Sequence, residues 1–495
     1  MGPGTVVKSY GTTQLPKPGN KLWSTSDYEV ALSLSLIVFT LTASSYYYYA
    51  LLPAWEADAP LEWTKRSTLV VNWVTTLCEA LGLLLAGPMA DYIEPVPIIA
   101  LEGTVTFLGV FVACALQTPH MLILSLLFIS FLKGVLWPSL GSIIYHSIEL
   151  EKQDVVFFCC ALASRLSEAV ADLALGQLLF WGFSWRSSLV AFGCSFGALF
   201  VMGILSLQRC MAMGVHVQYE EPPDSPTWSA SYSAKWCRLS SDLSGWLAFA
   251  VLLGTSGIWA LAGYLAVMLQ EKFELTPGAS ATAASSLLGG TFFGLFLAGM
   301  VTYMKGRGVG RVLQLVQANV GLLALVCMVM MPSLPLWKWV VCLLLAGAGA
   351  GPLMYLPYTV YCSSVPRYQR AFSMGVLDSL SQLFGCLVQM FFGNLRIVIP
   401  KQAGQVMYDG ATLGFAVTAA ATMFLYRRLG EESTHLYDHF WRFLSRENSM
   451  HQPEVRADKR TERNSQCLET RRSSSSISSL QLCFCAGQPT NNHCQ

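Results

Sequence analysis

The run ALASRLSEAVADLAL, residues 161–175, places Arg165, Glu168 and Asp172 inside an otherwise apolar stretch. Spacings of three and seven bring all three within about 60° of one helix face. A charge at the centre of hydrocarbon costs several kcal/mol on most scales, so ions at that depth are read first as functional groups. Glu168 and Asp172 lie one turn apart with like charge, and a dry site would not keep both ionised unless cations flank them. Arg165 is one such cation, and Lys133, near mid-depth of the preceding apolar run, is another. Two arrangements fit. In one, Glu168 or Asp172 carries a proton while Arg165 or Lys133 receives a substrate carboxylate or phosphate. In the other, the charges form a closed structural network that staples the fourth and fifth spans.

Further polar residues fall inside apolar runs. Glu79, in the middle of the second, is the next candidate for proton coupling, although a lone intramembrane carboxylate commonly has a partner. Asp378, Gln382 and Gln389 share one helical face with Gly385 and form a stripe able to line a cavity. The tyrosines 46–49 point around the whole helix, so at most two, Tyr46 among them, can face a central pathway; the others should pack or sit at a membrane interface. Gln314, Gln317 and Asn319 add polar residues to the ninth run, and Glu102 fits no clear role. No CxxC pattern appears and the seven histidines are scattered, so neither a metal nor a cofactor is expected, and an enzyme would lack its catalytic constellation.

These residues must be positioned by helices. A chain of 495 residues that is 53% hydrophobic, with a mean hydropathy of +0.47, carries more apolar surface than a soluble core can hide. Its net charge of +1 gives no reason to expect a nucleic-acid partner. Twelve apolar runs are centred near Val38, Leu77, Thr106, Phe131, Ala169, Gly197, Leu253, Phe292, Leu322, Leu345, Phe384 and Val417. Each can cross a hydrocarbon core of about 30 Å as a helix, whereas a β-barrel would alternate. The expectation is an all-α membrane protein with twelve transmembrane helices, its lipid bilayer the obligatory surroundings.

The chain then divides into an N-terminal segment (1–27), a six-helix bundle (28–207), a linker (208–243) containing EEPPDSP, a second six-helix bundle (244–428) and a disordered tail (429–495) with SSSSISS. Residues 1–27 do not have the form of a secretory signal. Lys305, Arg307, Arg311, Arg367, Arg370, Arg427 and Arg428 fall on one side of a twelve-span topology, which marks that side, with both termini, as cytoplasmic. Lys65 and Arg66 fall on the other, in a loop shared with Glu56, Asp58 and Glu62. None of the 15 cysteines lies in a predicted outer loop, which favours reduced thiols over disulfides.

GLLLAG at 82–87 aligns with GLFLAG at 294–299, and RLSE at 165–168 with SLSQ at 379–382. The two offsets differ by two residues and each runs through a helix-loop-helix, which argues for an internal duplication. Two parallel six-helix halves, a long central loop and Gly-x-x-x-Asp after the second span (Gly87, Asp91) resemble the major facilitator superfamily over residues 28–428. FLKG at 131–134 is similar to a fourth-helix motif of that family. The basic residues expected after the acid are missing, Tyr303 stands in the acid's place in the second half, and Ser130 replaces an arginine. No subfamily follows.

The resemblance implies a secondary transporter working by alternating access, with Gly87 and Asp91 as a gate brace against the start of the eleventh helix near 371–373. The expected solute is small, polar and organic, an amino acid or organic anion ahead of a sugar or phosphorylated metabolite. Its binding residues would be Arg165, Lys133, Tyr46, Asp378 and Gln382, with proton-coupled symport through Glu168, Asp172 and Glu79. A plasma-membrane monomer is favoured. The alternative is a non-transporting sensor or receptor that retains the carrier fold.

Overall fold

The computed structural model describes residues 25–90, 93–148, 150–212, 236–237, 239–356, 365 and 367–429, all within a compact unit spanning Met1–Glu432. Asp91, residues 1–24, most of the central linker and the tail from 430 onward lie outside the described residues. Among the described residues twelve long helices follow one another: α1 (Thr25–Ala57), α2 (Lys65–Met89), α3 (Pro95–Ala115), α4 (Pro119–Ser147), α5 (Leu150–Phe180) and α6 (Trp185–Ala212), then α7 (Leu243–Phe273), α8 (Pro277–Lys305), α9 (Arg307–Met330), α10 (Leu336–Leu356), α11 (Arg367–Val398) and α12 (Pro400–Leu429). No strand occurs among the described residues. Ten of these helices are long and apolar enough to cross a membrane by composition. The two that fall short are α5, which carries Arg165, Glu168 and Asp172, and α12, whose first half is polar. An even number of spans puts the start of α1 and the end of α12 on one face, here the terminal face, with the opposite one the far face.

The helices differ in how much they face the protein. In α1 and α7, 72% and 83% of the most apolar window is buried, against 39% in α3 and 33% in α9. The first helix of each half is thus central, and the third peripheral. The duplication is visible in the backbone as well. Glu62 and Glu274 adopt positive φ (55° and 52°), and each precedes by two residues the threonine, Thr64 or Thr276, whose hydroxyl caps the next helix. A left-handed conformation is costly for a non-glycine residue, so its recurrence before the second helix of each half marks one turn used twice.

The paired glycines have equivalent tasks. A Cβ on Gly82 would come within 2.1 Å of the Phe131 carbonyl oxygen on α4, and one on Gly294 within 2.0 Å of the Ala348 carbonyl oxygen on α10. The first glycine of each motif therefore lets two backbones of the same half touch. The second faces the opposite half: Gly87 meets Gly375 on α11, and Gly299 meets the Phe158 ring on α5.

Two seams, α2 against α11 and α5 against α8, join the halves along most of their length. On the far side, Leu69 packs at Gly393 and Thr282 at Gly176. At mid-depth the Ser379 hydroxyl donates to the Ala80 carbonyl at 2.8 Å. On the terminal side, Met374 of α11 lies against Gly141 of α4.

These approaches leave no room for a side chain. At Gly134 a Cβ would lie 2.4 Å from the Glu79 carbonyl oxygen, which is backbone and cannot rotate away, whereas at Gly289 it would meet nothing within 4 Å. Overpacking of this kind costs about 1–3 kcal/mol. Gly134→Leu is expected to lower the unfolding midpoint in detergent by several degrees, while Gly289→Leu leaves it unchanged, as read by thermal size-exclusion profiles.

Candidate functional site

A cavity of about 60 Å³ lies at mid-depth between the halves. Its walls come from α1, α2, α4 and α5 on one side and α7, α10 and α11 on the other. The contact of Gly82 with Gly134 sets α4 against α2, and one turn from that contact the Lys133 ammonium reaches the Glu79 carboxylate at 2.7 Å. Lys133 is also centred 3.7 Å above the Tyr46 ring, a cation–π arrangement in a largely desolvated setting.

Arg165 holds the opposite wall. Its Nη1 donates to Glu168 at 2.7 Å, Nη2 to the Ser164 hydroxyl at 3.1 Å and Nε to the Tyr355 hydroxyl at 2.8 Å. Its guanidinium lies 4.4 Å from the centroid of the Trp259 ring. Tyr355 and Trp259 belong to the second half, so this one side chain of the first half is anchored to both. Tyr46 likewise stacks on Trp259, with centroids 6.0 Å apart.

The structure brings most of the sequence candidates together. Arg165, Lys133, Tyr46, Asp378, Gln382 and Glu79 all line the cavity. Glu168 stands behind Arg165 with no exposed surface, and its Oε1 has no hydrogen-bond partner among the described residues. Asp172 is buried one turn further toward the far face and does not line the cavity; no hydrogen bond or ion pair engages it among the described residues. Gly87 sits on the α2–α11 seam, away from the cavity. No described ion pair joins α4 to α5: one pair spans α2 and α4, the other lies within α5. Of the four tyrosines none is exposed, and those off the cavity pack within the bundle. Tyr47 packs against Phe192 of α6 and Tyr48 shares a hydrogen bond with Thr75 of α2, because α1 is surrounded by helices on all sides.

Trp137, Trp259 and Tyr355 were not marked by the sequence, yet they supply the aromatic wall. Tryptophan and tyrosine are ordinary in membrane helices, and only the position of Tyr355 just after Pro352 in a kinkable run could have drawn notice. The site that results has two compact ion pairs facing each other across aromatic rings, with the Asp378 carboxylate and the Gln382 amide on a third side.

Twelve helices in two six-helix halves, enclosing a charged cavity at their junction, define a multi-pass integral membrane protein of transporter architecture. The chain belongs to the Major Facilitator Superfamily, whose sequence profile matches residues 34–389. Solved structures share the fold. A bacterial homologue of the iron transporter ferroportin, in an outward-facing state, superposes with a TM-score of 0.59 at 13% identity, covering 80% of this chain and 99% of its own. A bacterial homologue of the human lysosomal transporter Spinster, inward-facing and unoccupied, gives 0.55 at 17%, covering 82% and 98%. The nucleoside transporter NupG gives 0.54 at 16%, covering 80% and 100%. No curated protein sequence matches the chain.

Removing one member of a buried ion pair strands the other, at a cost of about 3–5 kcal/mol, whereas removing both is nearly neutral. Lys133→Met is therefore expected to destabilise the protein strongly in a thermal melt, and the double variant Lys133→Met/Glu79→Gln to recover most of the loss. Additive single effects would show that the pair is not coupled.

Proposed function

We propose that this chain is a secondary active transporter that moves a small polar organic solute, an amino acid or organic anion, by alternating access with proton symport. The observation that carries the reading is Arg165, which is held by Glu168 in its own half and by Tyr355 and Trp259 in the other. A group so placed senses both the solute and the relation between the halves. When the halves part on either face, Arg165 must give up its partners across the seam. A solute carboxylate is suited to replace them.

The charge balance then supplies the coupling. Glu79 and Lys133 neutralise each other, as do Arg165 and Glu168. A solute carboxylate that takes Arg165 or Lys133 adds a negative charge to a low-dielectric site and frees Glu168 or Glu79, and the freed carboxylate is neutralised most cheaply by a proton. Anion and proton would then cross together. Tyr46, Asp378 and Gln382 orient the solute, with Asp378 placed to receive an amino group. Asp172, one turn from Glu168, is the next carboxyl along α5 for the proton. In this reading Gly87 and Asp91 brace the terminal side, that side is cytoplasmic with residues 208–243 and 429–495, and the protein works as a monomer in the plasma membrane.

Uptake of a labelled solute panel into proteoliposomes under an inward proton gradient tests this. One carboxylate-bearing solute should accumulate, and Arg165→Gln should cut its uptake at least about 100-fold in protein that still elutes as folded. Glu168→Gln should retain solute exchange but lose proton-driven accumulation. Full transport by Arg165→Gln would contradict the reading, and a folded protein that bound a solute yet moved none would be a sensor instead.

A further inference from the structure

Far from the cavity, a second set of charges ties the halves together on the far face. Arg396, near the end of α11, has a side chain only 3% exposed. Its Nη1 and Nη2 donate to the two oxygens of Glu56 at 2.9 and 2.8 Å. Nη2 and Nε donate also to the two oxygens of Glu271 at 3.0 and 3.3 Å. Lys65, at the start of α2, takes Glu271 from the other side. Glu56 and Lys65 belong to the first half and Glu271 and Arg396 to the second, so the ion pairs of Arg396 with Glu56 and of Lys65 with Glu271 cross the boundary.

Exposed ion pairs contribute little, but this group has the features that make one matter: a buried arginine, fork geometry to two carboxylates and a network. Two acids and two bases balance, so no net charge is stranded while it is closed. Glu56 is further held by the Thr68 hydroxyl at 2.6 Å, itself bonded by the Trp63 indole at 2.9 Å. Beneath the network the seam continues in neutral contacts, Asn72 to the Gly263 carbonyl and Thr76 to Gln389. Nothing else described on this face links the halves through paired charges, because the neighbouring Arg186–Asp58 pair lies wholly within the first half.

We infer that Arg396, Glu56, Glu271 and Lys65 form the gate that holds the far face shut, with Arg396 as its keystone. Opening this face requires Arg396 to leave Glu56 and Lys65 to leave Glu271. The network is therefore the barrier that decides how often the cavity is reachable from that side, independently of the residues that bind solute. The inference rests on the alternating-access reading, but its test needs no solute, so failure of the gate and failure of transport are told apart.

A cysteine placed at Thr76→Cys, between the network and the cavity, reports on the seam: the native side chain there is 5% exposed. Its modification by a methanethiosulfonate reagent is followed in detergent by peptide mass at that one site. Arg396→Gln should speed modification at least about tenfold, as a population shifts toward the open far face. Because Arg396→Gln strands two carboxylates, the uncharged triple variant Glu56→Gln/Glu271→Gln/Arg396→Gln carries the same expectation in a form that buries no lone charge. Arg186→Gln should leave the rate unchanged. An unchanged rate in the folded triple variant, or an equal acceleration by Arg186→Gln, would overturn the gate.

Discussion

An ion inside a membrane is stable only against a partner, and much of this structure follows from where the partners stand. Arg165 is neutralised by Glu168 on its own helix, where Ser164 also accepts from it, yet its Nε and its flat face are satisfied by Tyr355 and Trp259 across the boundary. The buried guanidinium thus couples the two halves. Moving them apart exposes its unmet hydrogen-bonding capacity, which water or a solute must meet. A purely apolar junction would separate without any such demand and so without chemical selectivity.

Glycine makes these short polar distances possible. Helices that touch backbone to backbone, as α2 and α4 do at Gly82 and Gly134, bring Lys133 within reach of Glu79 while excluding lipid and water. The same close approach in the second half, at Gly294, sets α8 against α10, the helix that presents Tyr355. Each half is thus tightly packed at its glycine contacts. Between the halves, the contacts are of two kinds: long seams of small residues, and a few charged or polar links that can separate only by exchanging partners. In the proposed alternating access, motion would be concentrated at such links.

The parts of this arrangement that were legible in the sequence are those that local pattern encodes. Apolar runs located the helices, the GLLLAG and GLFLAG match revealed the duplication, and charges in α5 pointed to the cavity. Partner choice was not legible. Lys133 joins Glu79, 54 residues away, rather than α5, and Arg165 joins Tyr355, 190 residues away, because helix packing decides which faces meet. Arg396 was silent for a different reason. A basic residue at the end of a membrane helix is ordinary, and only the fold shows that it is buried between two glutamates from different halves. For the tyrosine run the sequence left packing and a membrane interface both open, and only the central place of α1 in the bundle decides for packing.

The central claim is that two rigid halves rock about the Arg165 junction, so that one face closes as the other opens. Spin-label distances in liposomes test it most directly, with one pair at the exposed residues Glu62 and Glu274 on the far face and another at Glu94 and Lys305 on the terminal face. The account predicts a short and a long population for each pair, with the fraction short at one face matching the fraction long at the other across a range of proton concentrations. Distances that stay single at both faces, or that lengthen and shorten together, would contradict it.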